Sequence, residues 1–277
     1  MQTHHVAQVL GKQYGRKTRA HWSTTPARHV VVFVHGFGGH PIKTWPNFPS
    51  LLPNASVPPF DFLFFGYDGL QQQTTNSAGE LLRFLEVFLA DPATLINATI
   101  PSLERRASFF YDRVVIVAHS LGAVVTRRAL LDARAGEGSG KSYPWLARTR
   151  IVLFAPAHMG AYAAALASSA LTGQPWFLGG LVGLYVRYRS PLLTDLQAGS
   201  TVLTALVNDS QVAGAVGPTP SFIKSHSVCL ATKDRVVINA GFPLDPPPRW
   251  IDADHLAVCK PRRADHDALT AVWEAIR

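Results

Sequence analysis

The sequence predicts an α/β fold, a mostly parallel central sheet flanked by helices. Three observations carry that expectation. Short, β-branched and almost wholly apolar runs recur along the chain, as in His29–Val34, Phe60–Phe65, Arg113–Ala118 and Arg150–Ala155, and such runs mark strands buried on both faces. Amphipathic segments of helical period lie between them. The alternation implies βαβ units, whose right-handed crossovers collect the loops at the strands' carboxyl ends on one side.

Each element has its own warrant. Residues 1–28 supply either a short antiparallel edge strand or a flexible arm. The strand His29–Val34 runs into His35-Gly36-Phe37-Gly38-Gly39, and a proline-rich loop leads to the strand Phe60–Phe65. Ala78–Ala90 places Leu81, Leu82, Leu85, Phe88 and Leu89 on one face and Glu80, Arg83 and Glu86 on the other, which predicts a helix. Arg113–Ala118 is the next strand. Leu121–Asp132 follows with helical spacing, and Gly136–Gly140 reads as a surface loop. His226–Thr232 is strand-like and ends in Lys233-Asp234-Arg235. The loop Asp252–Pro261 precedes a terminal helix expected to include His266.

Composition bounds the function. A chain of 277 residues fits one large α/β domain over residues 29–277. With 47% hydrophobic and 16% charged residues it buries a full core rather than remaining disordered. To the net charge of +8 a basic stretch over Lys12–Arg28 contributes, as do Arg262 and Arg263, with no long Lys/Arg run and no zinc-finger spacing. That pattern predicts a solvated basic face and no nucleic-acid partner; attraction to anionic lipid headgroups is the sharper alternative. Cys229 and Cys259 lack metal-ligand spacing and read as buried thiols, with a bridge between them left open. No secretory signal is legible at the N-terminus, so a cytoplasmic location is expected and the sequons at Asn54, Asn97 and Asn208 are chance matches. No metal or organic cofactor is called for.

Ser120 is the candidate nucleophile. Ala118-His119-Ser120-Leu121-Gly122 sits where a buried strand meets a helix, and so sharp a turn projects the serine hydroxyl out of the sheet. The turn needs very small residues two before and two after the serine. Gly122 meets the need, and Ala118 replaces the more usual glycine. A serine attacking an ester carbonyl also needs two N–H groups where the oxyanion develops. The residue after the serine, Leu121, and the glycine-rich loop, through Phe37, are the expected donors.

The base and the orienting acid should follow the serine in the order acid, then histidine. Asp234 lies just beyond a strand and His255 in the loop before the last helix. His119, His226 and His266 are the rival bases. His119 is set aside because the turn should aim it elsewhere, and the other two as structural or solvated. Asp252 and Asp254 are rival acids, too near His255 in sequence to align on its ring.

These residues resemble the α/β-hydrolase superfamily. Within it, the echoes are of the serine-esterase and lipase-like branch that includes GPI inositol-deacylase-like and serine-active-site-containing proteins. They lie in His35–Gly39 with Trp45, in Ala118–Gly122, in Ala155-Pro156-Ala157-His158-Met159-Gly160, and in Asp254–Pro261. Relatives often read Pro-His-x-Gly where this chain has Pro156-Ala157-His158-Met159-Gly160, a departure on the substrate side. The resemblance implies an α/β-hydrolase fold with a helical lid or cap insertion, a Ser120–His255–Asp234 triad and an acyl-enzyme.

The insertion is expected at about residues 157–224. Met159–Val186 contains no Asp, Glu, Lys or Arg. A membrane span there would separate Ser120 from Asp234, so a hydrophobic cap is expected, joined to the core by a helix over Ser190–Val207. Such a cap favours hydrophobic acyl or lipid esters and could touch membrane surfaces. The expected function is therefore hydrolysis of a carboxylic ester. An acyltransferase or thioesterase would use the same parts, and a non-catalytic binding protein could retain the scaffold.

Overall fold

The computed structural model describes residues 5–54, 57–163, 165–166, 190–215, 220 and 222–277. Among them, strands β1 (His5–Val9), β2 (Arg19–Ser23), β3 (His29–Val34), β4 (Phe60–Phe65), β5 (Arg113–His119), β6 (Thr149–Phe154), β7 (Ser227–Ala231) and β8 (Arg249–Ile251) form one sheet. Its order is β1-β2-β4-β3-β5-β6-β7-β8. From β4 to β8 every pairing is parallel, while β1 and β2 add an antiparallel hairpin at the edge. The chain before residue 29 thus supplies two edge strands where the sequence left one strand or an arm open.

Helices α1 (Phe48–Leu51), α2 (Thr74–Ala90), α3 (Pro92–Thr99), α4 (Leu121–Gly138), α5 (Pro191–Asp195), α6 (Thr201–Ala215) and α7 (Asp267–Ile276) cover the sheet. Helices α2 and α4 pack on each other, and α7 lies along β5 to β8. The apolar face of α2 is buried through Leu81, Phe84, Leu85 and Phe88. Val30 to Val34 and Val114 to Ala118 are wholly buried, which is why these strands read as unbroken apolar runs and not as alternating ones. Phe33 joins Trp45, Phe48 and Phe64, with ring centroids 5.0–5.2 Å away.

Several boundaries differ from expectation for local reasons. Strand β5 continues through His119, which pairs with Phe154. Helix α4 runs to Gly138 through part of the expected glycine/serine loop. Helix α3 begins where Asp91 accepts from the Thr94 N–H and Pro92 fills the first turn, a local start signal. The single helix expected over Ser190–Val207 is two, α5 and α6, separated by a turn in which Gly199 takes φ 75°. His266 lies outside α7 as its N-cap, its ring accepting from the Ala268 N–H. Strand β8 carries only three residues, too few for a pattern to announce. Cys229 and Cys259 are both free and buried.

A carboxyl is buried in the sheet. Asp61, on β4, accepts from the Ser23 N–H and the Tyr111 hydroxyl, each at 2.7 Å, with the Arg105 guanidinium 4.0 Å away. Most of the segment 159–186 expected to cap the site lies outside the described residues. No helix among the described residues is long and apolar enough to cross a membrane.

Candidate active site

Ser120 occupies the turn between β5 and α4 with φ 54° and ψ −121°. A non-glycine residue at such angles costs roughly 1–3 kcal/mol and persists only where its surroundings dictate it. Here they do. The Ser120 N–H donates to the Phe154 carbonyl at 3.0 Å, and the Ser120 carbonyl accepts from the N–H groups of Ala123 at 3.0 Å and Ala157 at 3.2 Å. A Cβ on Gly122 would stand 2.4 Å from the carbonyl oxygens of both Val34 and His35, so only glycine lets α4 start this close to β3. Ala118, two residues before the serine, is fully buried, and its methyl fits.

The loop after β3 closes on the serine. A Cβ on Gly36 would lie 2.9 Å from Ser120 Cβ. This puts the Gly36–Phe37 backbone beside the hydroxyl. Among the described residues, the N–H groups of Phe37 and Leu121 have no acceptor.

Asp234 and His255 reach Ser120 from two other loops. His255 Nε2 lies 3.1 Å from Ser120 Oγ, and His255 Nδ1 lies 2.8 Å from Asp234 Oδ2. A carboxylate only accepts, so Nδ1 carries the proton and Nε2 is left free to take one. Asp234 is itself held by the N–H groups of Val236 at 2.8 Å and Val237 at 3.2 Å. Burial works to raise its pKa, but the His255 hydrogen bond and charge, with those two N–H groups, outweigh it and keep the carboxyl below its ordinary value. All three side chains are buried.

The family model of the alpha/beta hydrolases matches residues 31–274. The chain belongs to the alpha/beta hydrolase family. No curated protein matches its sequence. Among solved structures it is similar to an esterase B from Lactobacillus rhamnosis at 13% identity and a TM-score of 0.54, covering 98% of this chain and 86% of that one. It is also similar to 2-hydroxy-6-oxo-6-phenylhexa-2,4-dienoate hydrolase from Rhodococcus sp. strain RHA1, at 14% identity and a TM-score of 0.52, covering 92% and 93%. An esterase from Pyrococcus furiosus aligns at 12% identity and a TM-score of 0.51, covering 99% and 90%. At such identities the likeness is one of fold.

In this alpha/beta hydrolase the rival residues are engaged elsewhere. Asp252 pairs with Lys233 at 2.7 Å in solvent, and Asp254 accepts from the N–H groups of Leu256 and Ala257. His226 is exposed, just ahead of β7. His119 is a different matter. The sequence reading sent it away from the site, yet its Nε2 hydrogen-bonds the His255 carbonyl at 2.8 Å and its ring centroid is 4.7 Å from that of His255. Burial, reinforced by the neighbouring His255, lowers its pKa to about 3. It is therefore a neutral ring whose Nε2–H donates to the carbonyl. The two residues are 136 positions apart, and no local spacing announces the contact.

Tyr67 is a second residue that sequence reasoning missed. Its hydroxyl donates to the His35 carbonyl at 2.7 Å and its ring stacks on the His35 imidazole at 4.4 Å. His35 Nδ1 in turn meets the Gly36 carbonyl at 2.9 Å. Burial drives the His35 pKa down to about 4, so the glycine-rich loop is braced by neutral aromatic contacts. Among the described residues no group of three or more His, Cys, Asp or Glu could hold a metal ion.

Proposed function

We propose that this alpha/beta hydrolase is a serine esterase or lipase-type enzyme, acting on a carboxylic ester with a hydrophobic acyl group. The observation that carries the reading is the continuous hydrogen-bond chain from Ser120 Oγ to His255 Nε2 and from His255 Nδ1 to Asp234 Oδ2. Ser120 Oγ attacks the acyl carbon while His255 Nε2 takes its proton, and Asp234 stabilises the imidazolium that forms. The N–H groups of Phe37 and Leu121 receive the negative charge on the carbonyl oxygen. Collapse of the tetrahedral intermediate breaks the ester C–O bond, and His255 returns the proton to the departing alcohol. Water, deprotonated by His255, then attacks the acyl-enzyme, and the acid leaves as Ser120 regains its proton.

In this reading residues 29–277 form one hydrolase domain. The insertion at about 157–224, with its uncharged stretch Met159–Val186, covers the acyl group. The absence of charged residues from that stretch supports a hydrophobic substrate and a cap that meets lipid surfaces. A series of p-nitrophenyl esters of rising chain length tests the proposal. Hydrolysis that favours longer chains and disappears in Ser120→Ala is the expected outcome. A well-folded protein that hydrolyses none of them would contradict it.

A further inference from the structure

A cavity opens beside β7 and β8. It is lined by His158, after β6, by Val228 on β7, by Asn239 and Phe242 in the segment leading to β8, and by Trp250 on β8, with Pro248 at its side; its volume is about 170 Å³. None of Ser120, Asp234 and His255 lines it. His158 is 1% exposed. Among the described residues neither of its ring nitrogens has a well-formed hydrogen bond, and its one polar contact is a weak one with the Ala123 backbone. Among the described residues the Asn239 Oδ1 is also buried without a partner, although its amide nitrogen reaches the Ala231 carbonyl at 3.5 Å. Buried polar atoms left this way are unfavourable and call for a partner.

Charge, shape and size restrict what that partner is. Asp245, which lines the cavity, accepts from the Arg127 Nη2 through both carboxylate oxygens, at 2.7 and 2.9 Å. Among the described residues that line it, the cavity therefore offers no unmatched charge. Burial first, then the Arg127 charge, lowers the His158 pKa to about 3, so the imidazole is neutral and offers one donor and one acceptor. Phe242 stands with its ring centroid 4.6 Å from that of His158 and 4.2 Å from the Arg127 guanidinium carbon, which holds the floor of the cavity in place. Trp250, 54% exposed, gives an aromatic rim open to solvent. A cavity of about 150 Å³ takes one benzene ring, so this one has room for a single six-membered ring with a small substituent.

We propose that this cavity is a binding site for a small, neutral, planar ring carrying a hydroxyl group, a phenol. The ring lies between the aromatic and proline walls, and the hydroxyl donates to and accepts from the buried polar atoms of His158 and Asn239. The site is tied to both halves of the catalytic geometry. Ala157, next to His158, donates to the Ser120 carbonyl, and the segment that carries Asn239 begins at Asp234 and is stitched to the Gly160–Tyr162 backbone at Val236 and Ile238. Binding itself requires no chemistry at Ser120.

Ligand-observed NMR titration of the whole protein with phenol, and with toluene as its isostere, tests the assignment. Phenol is expected to bind about tenfold more tightly than toluene, the effect of one net hydrogen bond. His158→Phe, which keeps the ring and removes both nitrogens, should bring the two ligands to equal affinity. Val228→Phe, which fills the cavity from the strand side, should abolish binding of both, and it carries the test should His158→Phe fail to fold. Ser120→Ala should bind phenol unchanged. Equal affinities for phenol and toluene in the native protein, unaltered binding in Val228→Phe, or binding lost in Ser120→Ala would each overturn the proposal. An absence of esterase activity would leave it standing.

Discussion

The rings of His119 and His255 meet at a tilt of 46°, and the Nε2–H of the first donates to the backbone carbonyl of the second at 2.8 Å. The residue beside the candidate nucleophile thereby fixes the loop that carries the candidate base. Because burial keeps His119 neutral, its role is to position and not to exchange protons. His119→Phe keeps the ring and loses the donor. Its kcat for ester hydrolysis is expected to fall about tenfold, the value of one hydrogen bond, with KM little changed. An unaltered kcat would remove His119 from the account.

Asp234 holds the imidazole with its Nδ1 protonated. Asp234→Asn preserves the shape and disturbs the tautomer, and kcat is expected to drop by roughly 10³–10⁴. Fluorophosphonate labelling of Ser120 should slow in parallel. A variant that keeps a tenth of the parent kcat would assign the orienting acid elsewhere.

Gly36 leaves no space for a side chain against Ser120 Cβ. Gly36→Ala should displace the loop that presents the Phe37 N–H and cost about 10²–10³ in kcat, the scale of losing one oxyanion donor. Thermal melting separates this from unfolding, since the expected loss appears in a protein that still melts cooperatively.

Asp61 makes the stability of the fold depend on pH. Burial raises its pKa from 3.8 to about 6, against the opposing hydrogen bonds from Tyr111 and Ser23 and the charge of Arg105. A carboxyl whose pKa is higher folded than unfolded favours the native state when protonated. Its contribution is therefore complete below pH 3.8 and is lost as the pH rises through 6, by an amount on the order of 3 kcal/mol. Asp61→Asn does not titrate. Between pH 4 and 7 the parent should lose stability relative to that variant in denaturant melts, and a pH-independent difference would refute the shift.

Much of this molecule was legible because its signals are local. The buried runs at His29–Val34 and Arg113–Ala118, the glycines at 36, 38, 39 and 122, and the serine between strand and helix are each written within a few residues. Asp234 and His255 were read from their order along the chain, and the hydrogen bonds now on view depend on loops that return from distant strands. His119 and Tyr67 escaped because their partners, His255 and His35, are brought to them by tertiary packing alone. The break between α5 and α6 escaped for another reason: apolar spacing continues across it, and only the turn at Gly199 marks the end of one helix. The cavity at His158 was beyond sequence altogether, since an unpartnered imidazole is a property of its surroundings.

The central claim is that Ser120 is an activated nucleophile. Treating the native protein with a fluorophosphonate and locating the adduct by peptide mass spectrometry tests it most directly, with Ser120→Ala alongside. One adduct is expected, on Ser120, absent from the alanine variant. Folded protein that acquires no adduct, or acquires it on another residue, would contradict it.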